Sequence, residues 1–252
     1  MNLPPCNFRP IIPSDRFHCS SMIYRSNSID DGKLDSVQWL FNEVKIKLIL
    51  DLRNEIEFHP NSQLDQCYQL IDFDEINEFQ QNLDKYDSIK GYRCHVGFSY
   101  GNFNSQFGTV EDFYLHLIDN NKHVMKSIFS FMGNSKNFPI LITCSYGKDR
   151  TGVVSAMVLD LVGCDQSTII DEYLKSDALL KPVQERLNQI VKEKNINPEF
   201  AKCPIGAIQQ FVIYLKTKYG GTKGYLKECG LTELDIEKIR SNLLNVTETN
   251  RD

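Results

Sequence analysis

The sequence predicts an α/β fold, with a mainly parallel central sheet flanked by helices and a helical C-terminal half. Three observations predict it. Short apolar runs at 46–52 and 138–143 have the length and composition of buried strands. Apolar residues at helical spacing lie between and around them, so strands and helices alternate. Beyond residue 150 the helical patterns succeed one another without an intervening strand. With 252 residues, 41% of them hydrophobic, the chain can close one large core. No repeat or linker interrupts residues 22–248, which read as one domain behind an N-terminal arm of residues 1–21.

Each element follows from its local pattern. Four prolines and no periodicity in residues 1–20 predict an extended arm lying over the domain. Met22-Ile23 running into Tyr24-Arg25-Ser26 reads as the end of a strand. Leu34, Val37, Leu40, Phe41 and Val44 recur at helical spacing. Ile46 to Leu52 reads as a strand ending in Asp51-Leu-Arg53, and the polar residues 54–65, with Pro60, read as a loop. Cys67 to Phe73 reads as a second strand. Residues 72–108 are the least regular, with an acidic first half (Asp72, Asp74, Glu75, Glu78, Asp84, Asp87). The glycine-, asparagine- and aromatic-rich segment 97–108 reads either as a lid or as a surface excursion. Thr109-x-x-Asp112 marks a helix start, with a break expected near Asn120-Asn121 and an end at Gly133. Further helices are expected at about 151–162, 166–176, 181–194, 204–219, 222–229 and 232–245. Pro204 suits a first helical position and Thr232-x-x-Asp235 a cap.

Bulk properties exclude several classes. A net charge of −5 argues against non-specific binding to nucleic acid. No apolar run approaches the ~18–20 residues of a membrane span, and the N-terminus lacks the order of a secretion signal. Asn245-Val-Thr247 fits a glycosylation sequon and is read as chance. The eight cysteines are scattered with no Cys-x-x-Cys pair, and the five histidines show no metal-ligand spacing. A reduced, cytoplasmic protein with buried thiols and no metal or other cofactor is expected.

Residues 144–152 read Cys-Ser-Tyr-Gly-Lys-Asp-Arg-Thr-Gly, between the strand Phe138–Thr143 and the apolar helical run Val153–Val162. Such a loop aims backbone N–H groups and the positive end of a helix at one point, which favours an anion. The same field stabilises a thiolate at Cys144. A thiolate and an arginine facing one dianion point to phosphoryl transfer onto sulfur.

Roles follow residue by residue. Cys144 is the expected nucleophile. Arg150 is expected to hold two phosphate oxygens in its planar fork. Thr151 can stabilise the departing thiolate, cap the helix, or do both. Gly147 and Gly152 let the backbone approach the anion. Ser145 and Tyr146 are expected to contribute N–H groups, with Tyr146 also at the entrance. Lys148 is expected to add positive charge at the mouth. Asp149 can protonate the leaving oxygen or merely orient Lys148. Asp72 and Asp74 are the other candidate general acids, on a segment able to close over the site.

The pattern Cys144-x5-Arg150-Thr151 resembles the signature of cysteine-dependent protein tyrosine and dual-specificity phosphatases. Gly147-Lys-Asp-Arg-Thr-Gly152 is similar to one branch, the bacterial and lower-eukaryotic tyrosine/serine phosphatases, some of which act on phosphoinositides. The resemblance extends to Ile23-Tyr-Arg-Ser26, to Leu50-Asp-Leu-Arg53 with Glu57, and to Asp171-Glu-Tyr-Leu-Lys-Ser176. It continues through Gly220-Gly-x3-Tyr-Leu226, Gly230-Leu-Thr and Ile239-Arg240, so that it covers about residues 22–245. It implies a phosphatase-like fold and a metal-independent phosphomonoester hydrolase working through phosphocysteine. The implied substrates are phosphotyrosine proteins or phosphoinositides, with protein phosphotyrosine ahead. Two features depart from the family: Thr143 stands where a histidine usually precedes the cysteine, and a Trp-Pro-Asp acid loop is missing, Trp39 lying in an early helix. Those departures motivate the alternative of a catalytically weak phosphate-binding pseudo-phosphatase.

Overall fold

The structure, a computed structural model, describes residues 4–13, 22–30, 34–59, 64, 67–71, 75, 91–99 and 107–244. Six strands form one sheet: β1 (Arg9–Pro10), β2 (Ile23–Ser26), β3 (Leu48–Asp51), β4 (Gln69–Ile71), β5 (Tyr92–His95) and β6 (Ile140–Thr143). Their order is β1-β2-β6-β3-β5-β4. Among the described residues, only the edge pair β1–β2 is antiparallel; the other pairings are parallel. The mainly parallel sheet expected from the alternation is therefore present.

Side-chain alternation along β6 explains why both faces are covered. Ile140 and Ile142 point into the larger core, while Leu141 points into a smaller one with Val37, Leu40 and Ile49. The helix α1 (Leu34–Asn42) supplies that smaller core with Val37, Leu40 and Phe41. The larger core is built by α2 (Val110–Asn120), α3 (Lys122–Met132), α4 (Asp149–Leu161), α5 (Gln166–Leu179), α6 (Gln184–Glu193), α7 (Ile205–Tyr219), α8 (Thr222–Glu228) and α9 (Glu233–Leu243). Every residue of α4 except Asp149 and Asp160 is buried, as befits a helix apolar on all sides.

The caps behave as their sequences require. The Thr109 hydroxyl accepts the Asp112 amide, and Thr232 with Asp235 forms a reciprocal capping box. The break at Asn120-Asn121 separates α2 from α3. Three boundaries differ in detail. Gly133 ends α3 with φ −70°, not in the left-handed form. Pro204 sits one residue before the first helical position of α7. Residues 181–194 divide into a 3₁₀ turn carrying Pro182 and then α6.

Two strands escape the sequence pattern. The arm does more than lie over the domain, because Arg9–Pro10 extends the sheet beside β2. The other is β5, which lies between β3 and β4 inside a stretch that reads as irregular. Its residues Tyr92-Arg93-Cys94-His95 are all buried, yet two of the four are polar. Arg93 is tolerated there because Asp30 and Asp51 take up its charge. Asp72 and Asp74, just past β4, lie outside the described residues, as does most of segment 97–108.

Candidate active site

Parallel register lines up Ser26, Thr143, Asp51 and His95 at the carboxyl ends of β2, β6, β3 and β5. That edge of a parallel sheet is where ligands bind. Cys144 follows β6 directly and is 2% exposed. Five residues later α4 begins, so the loop spans strand end and helix start as expected.

The loop's carbonyls are held from outside. Ser28 N–H donates to the Ser145 oxygen (3.3 Å). The Asn7 side-chain amide donates to Tyr146 O (3.1 Å) and Gly147 O (2.9 Å). Arg25 Nη2 donates to Gly147 O (2.6 Å) and Lys148 O (3.3 Å). In a planar trans peptide the N–H points opposite the C=O. The amides of Tyr146, Gly147, Lys148 and Asp149 therefore face away from these donors, the arrangement of a nest that can take an anion. Gly147 makes the turn with φ +62°, and a Cβ there would fall 2.1 Å from the Ser26 oxygen.

Arg150 is oriented by a carboxylate. Its Nη1 donates to Glu57 Oε2, and Nη2 donates to Glu57 Oε1 (3.1 Å) and to the Ser145 hydroxyl (3.0 Å). Ser145 Oγ donates in turn to Glu57 Oε1 (3.0 Å). Glu57 is fixed by Arg53 Nη1, which donates to its carbonyl (3.3 Å), and by Asn54. Arg53 Nε then donates to Asp51 Oδ1 (3.0 Å). Asp51 Oδ2 also accepts from Arg93 Nη2 (2.5 Å), and Arg93 forks onto both Asp30 oxygens (2.6 and 2.7 Å). Burial alone would raise the Asp51 carboxyl, but Arg93 and Arg53 outweigh it and hold it well below the usual carboxylate range. Asp30 is lowered by the same two arginines against the same burial.

Lys148 does not serve the mouth. It is 1% exposed, and its ammonium donates to Asp149 Oδ1 (2.6 Å) and to the Lys202 carbonyl (2.9 Å). An adjacent carboxylate and a carbonyl beyond the 3₁₀ turn Pro198–Ala201 draw the charge inward. Asp149 Oδ1 also accepts the Tyr114 hydroxyl (2.9 Å), which lies 2.7 Å from Tyr173 OH. Burial, then the Asp149 charge, raises the Tyr114 phenol well above its ordinary value, so it remains a donor. Asp149 thus has the orienting contact expected of one of its two readings, and its side chain stays 20% exposed.

Thr151 is fully buried and its hydroxyl finds no partner among the described residues. Such an orphan is costly, about 1–3 kcal/mol, unless it serves another group. Thr143 Oγ1, in the place of the family's histidine, donates to Asn27 O (2.8 Å) and ties β6 to the segment that Gly147 rests on. Tyr146 is half-buried against the main core. Gly152 lets α5 approach: a Cβ there would lie 3.2 Å from the Tyr173 ring.

Sequence reasoning assigned no role to a second set of residues. Glu172 on α5 accepts Arg25 Nη1 through Oε2 (2.6 Å) and Arg9 Nε through Oε1 (2.7 Å). Arg9 Nη2 reaches Ser176 Oγ (2.9 Å), and Asn7 joins the same group. The signal was present, since Arg25, Glu172 and Ser176 all lie in motifs that accompany the loop. Among the described residues, no group of three or more His, Cys, Asp or Glu could hold a metal ion, and no helix is long and apolar enough to cross a membrane.

Strand, turned-in amides, helix, cysteine and fork-held arginine together define a phosphatase-like α/β domain. The chain belongs to the tyrosine phosphatase family, whose model matches residues 18–245. It is 27% identical over 121 residues to the "Triple specificity protein phosphatase PtpB" of Mycobacterium tuberculosis, covering 42% of this chain and 44% of that one. It is 27% identical over 139 residues to a "Tyrosine-protein phosphatase" of Nostoc commune, covering 52% and 47%. The chain therefore spans less than half the length of these two relatives. Among solved structures, the core catalytic domain of the PP-IP phosphatase SIW14 from S. cerevisiae aligns with TM-score 0.43 and 23% identity, over 77% of this chain and 96% of that one.

Proposed function

We propose that the chain is a phosphomonoester hydrolase of the protein tyrosine and dual-specificity type, acting through a phosphocysteine on Cys144. The observation that carries this reading is the loop whose carbonyls from Ser145 to Lys148 are all bonded on the outside. The opposed amides and the start of α4 then receive the phosphate oxygens, and Arg150, held in place by Glu57, adds its positive charge. Cys144 Sγ attacks phosphorus and the bond to the leaving oxygen breaks. A carboxylic acid gives that oxygen its proton: Asp72 and Asp74 are the candidates besides Asp149, whose Oδ1 already accepts from Lys148 and Tyr114. Water then attacks the phosphocysteine, giving a proton to the carboxylate left by the first step; the S–P bond breaks, and the thiolate returns with inorganic phosphate released. The buried Thr151 hydroxyl donates to the returning thiolate. A reducing compartment such as the cytoplasm suits this nucleophile.

Protein phosphotyrosine is the favoured substrate class. Lys148 and Arg150 are each matched by a carboxylate, Asp149 and Glu57. This leaves no surplus cation in the loop for a lipid headgroup bearing several phosphates. The test is hydrolysis of an aryl phosphate in chelator, comparing wild type with Cys144→Ser. Wild-type turnover and a loss of at least ~10³-fold in the variant are expected. Equal rates, or an inactive wild type, would sink the proposal. Turnover of phosphoinositide ahead of phosphotyrosine peptide would overturn the substrate class alone.

A further inference from the structure

We infer that Asn7 and Arg9, on the N-terminal arm, are positioning residues for the phosphate-binding loop; this rests on the phosphatase reading above. Asn7 is buried, and its single amide nitrogen donates to two consecutive loop carbonyls, Tyr146 O and Gly147 O. Two of the four peptides that build the nest are therefore oriented by one side chain about 140 residues away in the chain. Asn7 holds a left-handed φ of +61°, a conformation asparagine tolerates better than most residues. Arg9 Nη1 donates to the Asn7 side-chain oxygen, which leaves the amide nitrogen for the loop.

Arg9 is itself clamped. Its Nε reaches Glu172 Oε1 (2.7 Å) and its Nη2 reaches Glu172 O (3.0 Å). Glu172 gives its other oxygen to Arg25, the second donor to the loop. One buried carboxylate thus couples the arm's grip on the loop to that of β2. The arm is anchored on the far side by Phe8, stacked on Tyr24 and edge-on to Trp39, both at 5.3 Å between ring centroids. Cys6 O accepts the Asn27 amide (2.9 Å), so the backbone docks as well.

None of these side chains need touch a substrate. Their effect passes through the direction in which the loop amides point. Losing the Asn7 donors loosens the Tyr146 carbonyl and leaves Arg25 alone of the two side chains to hold Gly147 O, which weakens anion binding in ground and transition states alike.

The experiment compares wild type, Asn7→Gly and Asn7→Asp in the full chain. Glycine keeps the positive φ and removes the donors. Aspartate keeps the oxygen facing Arg9 but cannot donate as a carboxylate. Inorganic phosphate binding is read by calorimetry, aryl phosphate turnover by kcat and KM, and folding by thermal melting. Both variants are expected to bind phosphate at least tenfold more weakly and to lose ten- to a hundredfold in kcat/KM, while remaining folded at the assay temperature. Wild-type phosphate affinity in both variants overturns the inference. So does a fall in melting temperature with affinity and KM unchanged, the signature of a purely structural arm. Should wild type bind phosphate but turn nothing over, the phosphatase reading fails while the binding comparison still decides this one. If Asn7→Gly does not fold, Asn7→Asp carries the test; if neither folds, Phe8→Leu, which loosens the arm without removing a donor, must weaken phosphate binding or the inference falls.

Discussion

Arg150 meets Glu57 through both terminal nitrogens, a geometry that an ammonium cannot copy. Arg150→Lys is therefore expected to lower kcat/KM for an aryl phosphate by ~10²–10³-fold without unfolding the chain. Glu57→Gln keeps the size but not the charge, and a loss of about ten- to a hundredfold follows from weakening a charge-assisted bond of ~1.5–3 kcal/mol. Steady-state kinetics on both variants checks the pair; an unchanged Glu57→Gln enzyme would show that Arg150 needs no support. Asp149 is tested by the leaving group. If it donates the proton, Asp149→Asn should cut phenyl phosphate turnover by ~10² or more and spare p-nitrophenyl phosphate, whose leaving group needs little help. Equal losses on both would leave Asp149 only as the partner of Lys148. At this scale the placing of Cys144, Arg150 and Thr151 between a strand end and a helix start was legible because a short loop sets their spacing. The inward turn of Lys148 was not, since it depends on the Lys202 carbonyl 54 residues on. Nor was the grip of Asn7 and Glu172, made across 140 and 163 residues from their partners.

Among the elements, helices were readable almost throughout, because apolar residues at helical spacing and local caps such as Thr109 and Thr232 act within a few residues. Strand β5 was not, because its burial rests on pairing of Arg93 with two distant aspartates and not on apolar composition. That dependence has a pH signature. Asp51 and Asp30 have folded-state values below the unfolded value of about 4. Their contribution is therefore complete above pH 4 and is lost as pH falls below 4 through the folded values. Urea unfolding followed from pH 7 to pH 2 should show stability falling below pH 4 in wild type. Asp51→Asn leaves Arg93 short of a buried partner and should cost about 3–5 kcal/mol at neutral pH, with a flatter acid limb. Wild-type stability in Asp51→Asn would contradict the ion-network account of β5.

On the scale of the whole molecule, the sheet divides two cores but β6 belongs to both, through Ile140, Ile142 and Leu141. Trp39 packs beside the smaller core, whereas most helices surround the larger one. Tryptophan fluorescence and far-UV circular dichroism should therefore report one coincident urea transition; separated midpoints would mean that the cores unfold independently. The arm, sheet and α5 all converge behind one loop, and the proposed function places a covalent step at Cys144 in front of it. Acid-quenching the enzyme during turnover and mapping phosphate by peptide mass spectrometry tests this most directly. Thr151→Ala is the form to use, since under the proposed role loss of the hydroxyl slows return of the thiolate and the intermediate should build up. The account predicts phosphate on the Cys144 peptide, and none in the Thr151→Ala/Cys144→Ser double variant. Phosphate on another residue, or sustained hydrolysis with no adduct on Cys144 at any quench time, would contradict it.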